Sequence, residues 1–112
     1  MGLFGKSPEK LARERQEKLA TLKQLTLSNL KMRISGWKSA RFDENQNRLD
    51  SREISYQEYD KYNTSLNKWA DEMEKVANEY IAGLTEDHLD YSSRELAEII
   101  FDKCKEEVKV KI

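Results

Sequence analysis

Residues 54–84, ISYQEYDKYNTSLNKWADEMEKVANEYIAGL, decide the fold of this chain. Their apolar side chains recur at alternating spacings of three and four, which is typical of a helix face that packs against other helices. Ser55 and Glu58 have the spacing of a capping box, which starts a helix, and Gly83 is a residue type at which helices typically end. The stretch therefore predicts a helix over about 56–82. Its apolar stripe consists of Tyr59, Tyr62, Leu66, Trp69, Met73, Val76 and Tyr80.

The composition indicates a small helical protein with a heavily ionised surface. Of the 112 residues, 37% are charged, and the mean hydropathy is −0.90. Only four glycines and one proline occur, which favours long helices over strands. No run approaches the roughly 18 apolar residues of a membrane span, and the first residues lack the apolar core of a signal peptide. Because the single Cys104 cannot form an internal disulfide, we expect a cytoplasmic location.

The N-terminal part of the chain predicts a long basic helix over about 8–50. Ser7 can cap it, and Pro8 would occupy its first position, where a missing N–H does no harm. Ser35 and Gly36 form a weak point, so a kink within 35–43 and a continuous helix are both open. Residues 1–41 carry a net charge of +7 and residues 42–112 a net charge of −8. If the helices form a bundle, the basic helix would lie beside the acidic second helix, and this arrangement could explain the asymmetry without any partner.

A third, short helix is predicted over about 93–108, where Ser92 and Glu95 again have capping-box spacing. Three amphipathic helices with short connections favour an all-α fold, a small antiparallel three-helix bundle. We expect one helical domain over 8–108, a flexible N-terminus over 1–7 and a frayed C-terminus over 109–112.

The turn between the first two helices is predicted at 51–53. The segment LDSREISYQEY, residues 49–59, resembles the small bacterial SHOCT module, whose helical hairpin often reads L-D-x-G-x-I-T-x-x-E-F. The resemblance implies a tight turn between two helices and no function. Arg52 stands where that module has its glycine.

The first ten residues, MGLFGKSPEK, resemble the N-terminus of the charged multivesicular body family, which has a basic helical hairpin followed by acidic helices. Leu3 and Phe4, backed by neighbouring cations, could insert into a bilayer surface. A peripheral membrane protein is therefore one alternative function, although we favour a frayed end without membrane contact.

Residues for catalysis are scarce. The single histidine, His88, and the single cysteine, Cys104, lie on different predicted segments, whereas nucleophilic cysteine chemistry needs both together. A zinc site needs about four nitrogen or sulfur ligands, and no Gly-rich phosphate loop is present. We therefore predict no enzymatic activity, no cofactor, no metal site and no small-molecule substrate.

Two sets of residues are candidates for binding. Leu25 and Met32 lie off the main apolar stripe of the first helix and predict an exposed contact patch for a protein partner or a second copy. The aromatic residues Tyr62, Trp69 and Tyr80 are either bundle core, which we favour, or interface anchors. Our leading hypothesis is a non-catalytic protein–protein interaction module, an adaptor, regulator or assembly subunit, including self-association.

The alternative partner is nucleic acid, bound by the basic first helix through phosphate contacts and one stacking ring. Trp37 could equally belong to the core, which we favour, and the acidic half of the chain would repel a polyanion unless the two halves were separated. The candidate residues for this role are Lys31, Arg33, Trp37, Lys38 and Arg41.

Overall fold

A computed structural model of the chain describes residues 7–108. In that range the chain forms three α-helices, α1 (Pro8–Asp50), α2 (Tyr56–Ala82) and α3 (Ser93–Glu107), with a 3₁₀ turn at Glu86–His88. The helices pack against one another, so the predicted all-α three-helix bundle is confirmed. The expectations for 109–112, and for 1–7 apart from Ser7, fall outside the described residues.

Each helix begins where the sequence places a cap. The Ser7 side chain accepts a hydrogen bond from the Lys10 N–H, and Pro8 takes the first helical position. Ser55 and Glu58 form the full capping box of α2, with both hydrogen bonds at 3.1 Å. The local sequence therefore accounts for where the helices start without reference to tertiary contacts.

The turn between α1 and α2 is a Schellman motif. The Glu53 N–H donates to the Arg48 carbonyl (2.8 Å) and the Arg52 N–H donates to the Leu49 carbonyl (3.0 Å). Arg52 has φ 61°, in the left-handed region that favours glycine. The turn thus has the geometry that a glycine would suit, at the position where the similar module has one.

α1 is one uninterrupted helix through Gly36 and through residues 43–47, so the chain does not break at either place. At about 1.5 Å per residue, its 43 residues span about 65 Å and the 27 residues of α2 about 40 Å. The Lys23 ammonium donates to the Ala82 carbonyl at 3.5 Å, so α2 ends beside residue 23 of α1. The first turns of α1 therefore extend past the end of α2.

α3 covers only one half of the α1–α2 hairpin. Its first residue, Ser93, receives a hydrogen bond from the Asn29 side chain (3.3 Å), and near its end the Glu107 carboxylate accepts one from Tyr80. We call residues 19–34 and 73–108 the three-helix half, and residues 37–70, with the turn, the hairpin tip.

Most of the core lies in the three-helix half, and it continues into the hairpin tip at Trp69 and Ala70. Asn45 is buried in the hairpin tip, where its side-chain N–H₂ donates to the Asn63 side-chain oxygen at 3.1 Å. The buried apolar side chains of the tip are Ile54, Leu66, Trp69 and Ala70. Those of the three-helix half are Leu30, Ile34, Met73, Ala77, Ile81, Leu84, Leu96, Ala97, Ile100, Cys104 and Val108.

Candidate partner-binding surface

The outward face of α1 carries an uncharged stripe, which we call the outer stripe. It begins at Thr21 and ends at Ser39, and every side chain in it is exposed. Leu25 is 52% exposed and Met32 is 72% exposed. Spacings of four and three keep these positions on one line along a helix. The residues of the outer stripe are Thr21, Leu25, Ser28, Met32, Ser35 and Ser39.

Helix geometry explains why the outer stripe faces solvent. The buried residues Leu30 and Ile34 direct the opposite side of α1 into the core. Met32 lies two residues from each of them, about 200° around the helix, and so points away from the bundle. A Cβ added at Gly36, beside the stripe, would meet nothing within 4 Å apart from the adjacent residues and the nearby backbone of α1 itself. The surface is therefore open, and its small residues would let another backbone approach closely.

The cations that flank the outer stripe are only partly neutralised within residues 7–108. Lys31 pairs with Glu74 of α2 at 3.6 Å, and Lys38 donates to the Asn67 amide oxygen at 3.4 Å. Arg33, half-buried, has no ion pair with a carboxylate in that range. The expected neutralisation of α1 by α2 therefore accounts for only part of the charge asymmetry.

The three aromatic candidates for partner binding occupy different environments. Trp69 is 3% exposed and lies in the core, with its ring centroid 4.0 Å from that of Trp37. Its indole N–H is buried without a hydrogen-bond partner among the described residues. Trp69 can therefore anchor a partner only after it leaves the core.

Tyr62 and Tyr80 are half-buried and at different ends of α2. The Arg48 guanidinium lies 5.5 Å from the ring centroid of Tyr62. Tyr80 donates to the Glu107 carboxylate, and this hydrogen bond raises the pKa of Tyr80 to about 12. These two rings thus lie in intramolecular contacts and do not continue the outer stripe.

The five residues predicted for nucleic acid do not form one surface. Lys31 and Lys38 lie on the side of α1 that contacts Glu74 and Asn67. Arg33 is two residues from Lys31, which places it about 160° away around the helix.

Trp37 and Arg41 complete that set. Trp37 packs on Trp69, as the core interpretation expected, and the Arg41 guanidinium lies 4.8 Å from its ring centroid and 3.1 Å from Glu44. Because the ring already contacts both Trp69 and Arg41, it is less available for a base to stack on.

A shallow cavity between the end of α2 and α3 was not anticipated from the sequence. It is mostly apolar and includes two side chains with large exposed fractions, Tyr91 at 45% and Ile99 at 42%. The sequence did not indicate it because its lining comes from the end of α2, the turn after it and α3, and helix periodicity does not give how these three segments pack. Its lining comprises Glu79, Tyr80, Gly83, Leu84, His88, Tyr91, Leu96, Ile99, Ile100 and Lys103.

His88 and Cys104 have structural contacts. Nδ1 of His88 accepts a hydrogen bond from the Thr85 N–H at 3.0 Å, and so caps the turn that precedes α3. Cys104 is buried in the core, and burial, together with the charge of Glu107, raises the pKa of its thiol to about 11. A neutral thiol is a poor nucleophile. Among residues 7–108, no three His, Cys, Asp or Glu side chains come together as a metal site.

Comparison of the chain with protein-family models, with curated proteins and with solved structures finds no match. The resemblances to the SHOCT module and to the charged multivesicular body family therefore rest on the quoted residues alone. In the part of the chain that the structure describes, no helix has the length and apolar character needed to cross a membrane.

Proposed function

We propose that this protein is a non-catalytic helical interaction module, an adaptor, regulator or assembly subunit, that binds a protein partner through the outer stripe. The observation that supports this most is the exposure of Leu25 and Met32, 52% and 72%, on an uncharged stripe in a chain that is 37% charged. Exposed single hydrophobic residues are common, so the support lies in the alignment of these two on one uncharged line of the helix.

Covering these two side chains should contribute substantially to the free energy of binding. Full burial of a Leu or Met side chain contributes about 1.5–3 kcal/mol, so covering the exposed parts of both would contribute roughly 3 kcal/mol. That is the size of an interface hot spot. Methionine also adapts its shape to different partners. The outer stripe could therefore provide the centre of a modest interface.

The nucleic-acid alternative has less support, because its candidate residues lie on different sides of α1 and Trp37 packs on Trp69. The membrane alternative depends on Leu3 and Phe4, which lie outside the described residues. We propose a cytoplasmic location on sequence grounds, since the chain has a single cysteine and that thiol is buried.

Site-specific photo-cross-linking tests the proposed function. A photoreactive phenylalanine analogue is placed at position 32, or at Tyr56, which is 70% exposed at the start of α2 and provides a matched control. In the cells that make the protein, we expect a discrete cross-linked product from position 32 that disappears when Leu25→Glu is added. Equal products from positions 32 and 56, or a product insensitive to Leu25→Glu, would contradict the proposal.

A further inference from the structure

We infer that the occupant of the outer stripe is an amphipathic α-helix of a different protein, with carboxylates beside its apolar stripe. This inference rests on the proposed function and adds the chemistry of the partner. It follows from the shape of the outer stripe, from the unbalanced positive charge around it, and from the like charges that a contact between two copies of the chain would bring together.

The shape of the outer stripe fits a helix. From Thr21 to Ser39 it runs along continuous α-helix for about 27 Å, at about 1.5 Å per residue. Its large residues, Leu25 and Met32, are separated by the small Ser28, so knobs alternate with a gap. A helix with apolar residues every three or four positions can place its own side chains in such gaps.

The charge around the outer stripe favours an acidic partner. From Lys18 to Phe42, α1 contains six Lys or Arg residues and no carboxylate. Met32 is directly preceded by Lys31 and followed by Arg33, so a cation lies on each side of the most exposed apolar residue. Carboxylates on the edges of a docked helix would find these cations within reach of long, flexible side chains.

The two sides of the outer stripe differ in how much charge remains. On the α2 side, Lys31 and Lys38 line a cleft together with Asp71 and Glu74, which offset them. On the opposite side, Arg33 has no carboxylate partner within residues 7–108. The partner's carboxylates therefore matter most along the edge that faces Arg33.

A second copy of this chain is disfavoured by the same charges. Pairing the outer stripe with itself would bring Lys31 and Arg33 of one copy close to a helix with the same cations and no carboxylate between Lys18 and Phe42. Like charges across an interface oppose association. The partner helix is therefore expected to come from another protein.

Titration with three synthetic helical peptides tests the inference on the full chain. The peptides are about three heptads long, share one apolar stripe and differ only at the flanking positions, which are Glu, Gln or Lys. We expect the Glu peptide to bind about tenfold more tightly than the Lys peptide, and the difference to shrink as salt screens it. Leu25→Glu with Met32→Glu should abolish binding of every peptide.

Two charge variants test whether the edge of the outer stripe at Arg33 sets the preference for the Glu peptide. Arg33→Gln should reduce the preference for the Glu peptide about threefold. Lys61→Gln also removes one positive charge, at an exposed position of α2, and should leave the preference unchanged. An equal loss in both variants would mean that net charge, and not the edge at Arg33, sets the preference, which overturns the inference.

The remaining outcomes separate the inference from the proposed function. Equal affinity for the three peptides, lost in the Leu25→Glu, Met32→Glu variant, would overturn the inference and leave the outer stripe as a docking surface. The inference also fails if no peptide binds while position 32 still cross-links to a partner. A concentration-dependent dimer of the wild type that Met32→Glu converts to monomer would identify a second copy as the occupant. Without either binding or cross-linking, the proposed function itself is wrong.

Discussion

The three-helix half and the hairpin tip are parts of the same two long helices, yet different forces hold them. In the three-helix half, α3 closes the groove between α1 and α2, and aliphatic side chains such as Leu30, Met73 and Leu96 fill it. In the tip, two helices must suffice, and polar contacts such as Asn45–Asn63 (3.1 Å) and Tyr59–Gln46 (3.0 Å) join them. A third helix therefore allows a larger apolar core, whereas in the tip polar contacts between the two helices supplement a few buried apolar side chains such as Leu66.

The largest expected effect lies in the three-helix half. Met73→Ala removes a side chain that is 0% exposed and should lower the free energy of unfolding by about 3 kcal/mol, through lost burial and the remaining cavity. Met32→Ala makes the same chemical change at a side chain that is 72% exposed and should alter it by less than about 0.5 kcal/mol. Urea titration of both variants measures the difference, and equal losses would contradict the described core.

In the hairpin tip, Asn45→Ala should cost about 1–2 kcal/mol, because it leaves the Asn63 side chain without its partner in a part-buried site. Replacing both residues with leucine should recover most of that loss or exceed it, since no polar group then remains unpaired. Urea titration of the single and double variants measures their free energies of unfolding. A double variant less stable than Asn45→Ala would show that the pair contributes more than satisfaction of its own groups.

At the end of the tip, Arg52→Gly should raise the free energy of unfolding by about 0.5 kcal/mol. Glycine removes the strain of φ 61°, of about 1 kcal/mol, and its freedom in the unfolded chain offsets part of the gain. Arg52→Ala keeps the strain and serves as the control. Thermal unfolding of both variants measures the effect, and a gain in Arg52→Ala as large as in Arg52→Gly would contradict the strain.

The smallest expected effect is the response of the tip to acid. The Ser55 backbone N–H, which donates to the Glu58 carboxylate, lowers the pKa of that carboxyl below its usual value of 4.5. A lowered folded-state pKa stabilises the fold above the ordinary pKa and ceases to do so as pH falls through the folded-state pKa. Glu58→Gln should therefore show a weaker loss of thermal stability than the wild type between pH 5 and 3. Identical pH profiles would mean that the capping carboxylate contributes no such dependence.

Much of the fold could be predicted from the sequence because caps and periodicity are local signals. Ser7, Ser55 and Ser92 start the helices as expected, and Leu66, Trp69 and Met73 of the decisive stripe are buried. Other members of that stripe, such as Tyr62, are only half-buried. The buried face of α2 also includes two small residues that allow close helix contact, Ala70 and Ala77.

The features that could not be predicted depend on where neighbouring helices end. Leu11, an apolar residue of α1, is 43% exposed, and Ile99, an apolar residue of α3, is 42% exposed. Periodicity gives the direction of a side chain around its own helix, but not whether another element reaches it. For the same reason, Leu25 and Met32 could be placed off the main stripe from sequence, while the open surface around them required the structure.

Two methionines lie among residues 7–108, Met73 in the core and Met32 in the outer stripe. Their solvent exposure tests directly whether apolar side chains are buried in the core and exposed on the outer stripe. The protein is labelled with ¹³C at the methionine methyl groups, and a soluble paramagnetic reagent and then the Glu-flanked peptide are added. We expect the reagent to broaden the Met32 methyl signal strongly and the peptide to shift it, while the Met73 methyl signal stays unchanged. Equal protection of Met32 and Met73 in the monomer would contradict this expectation.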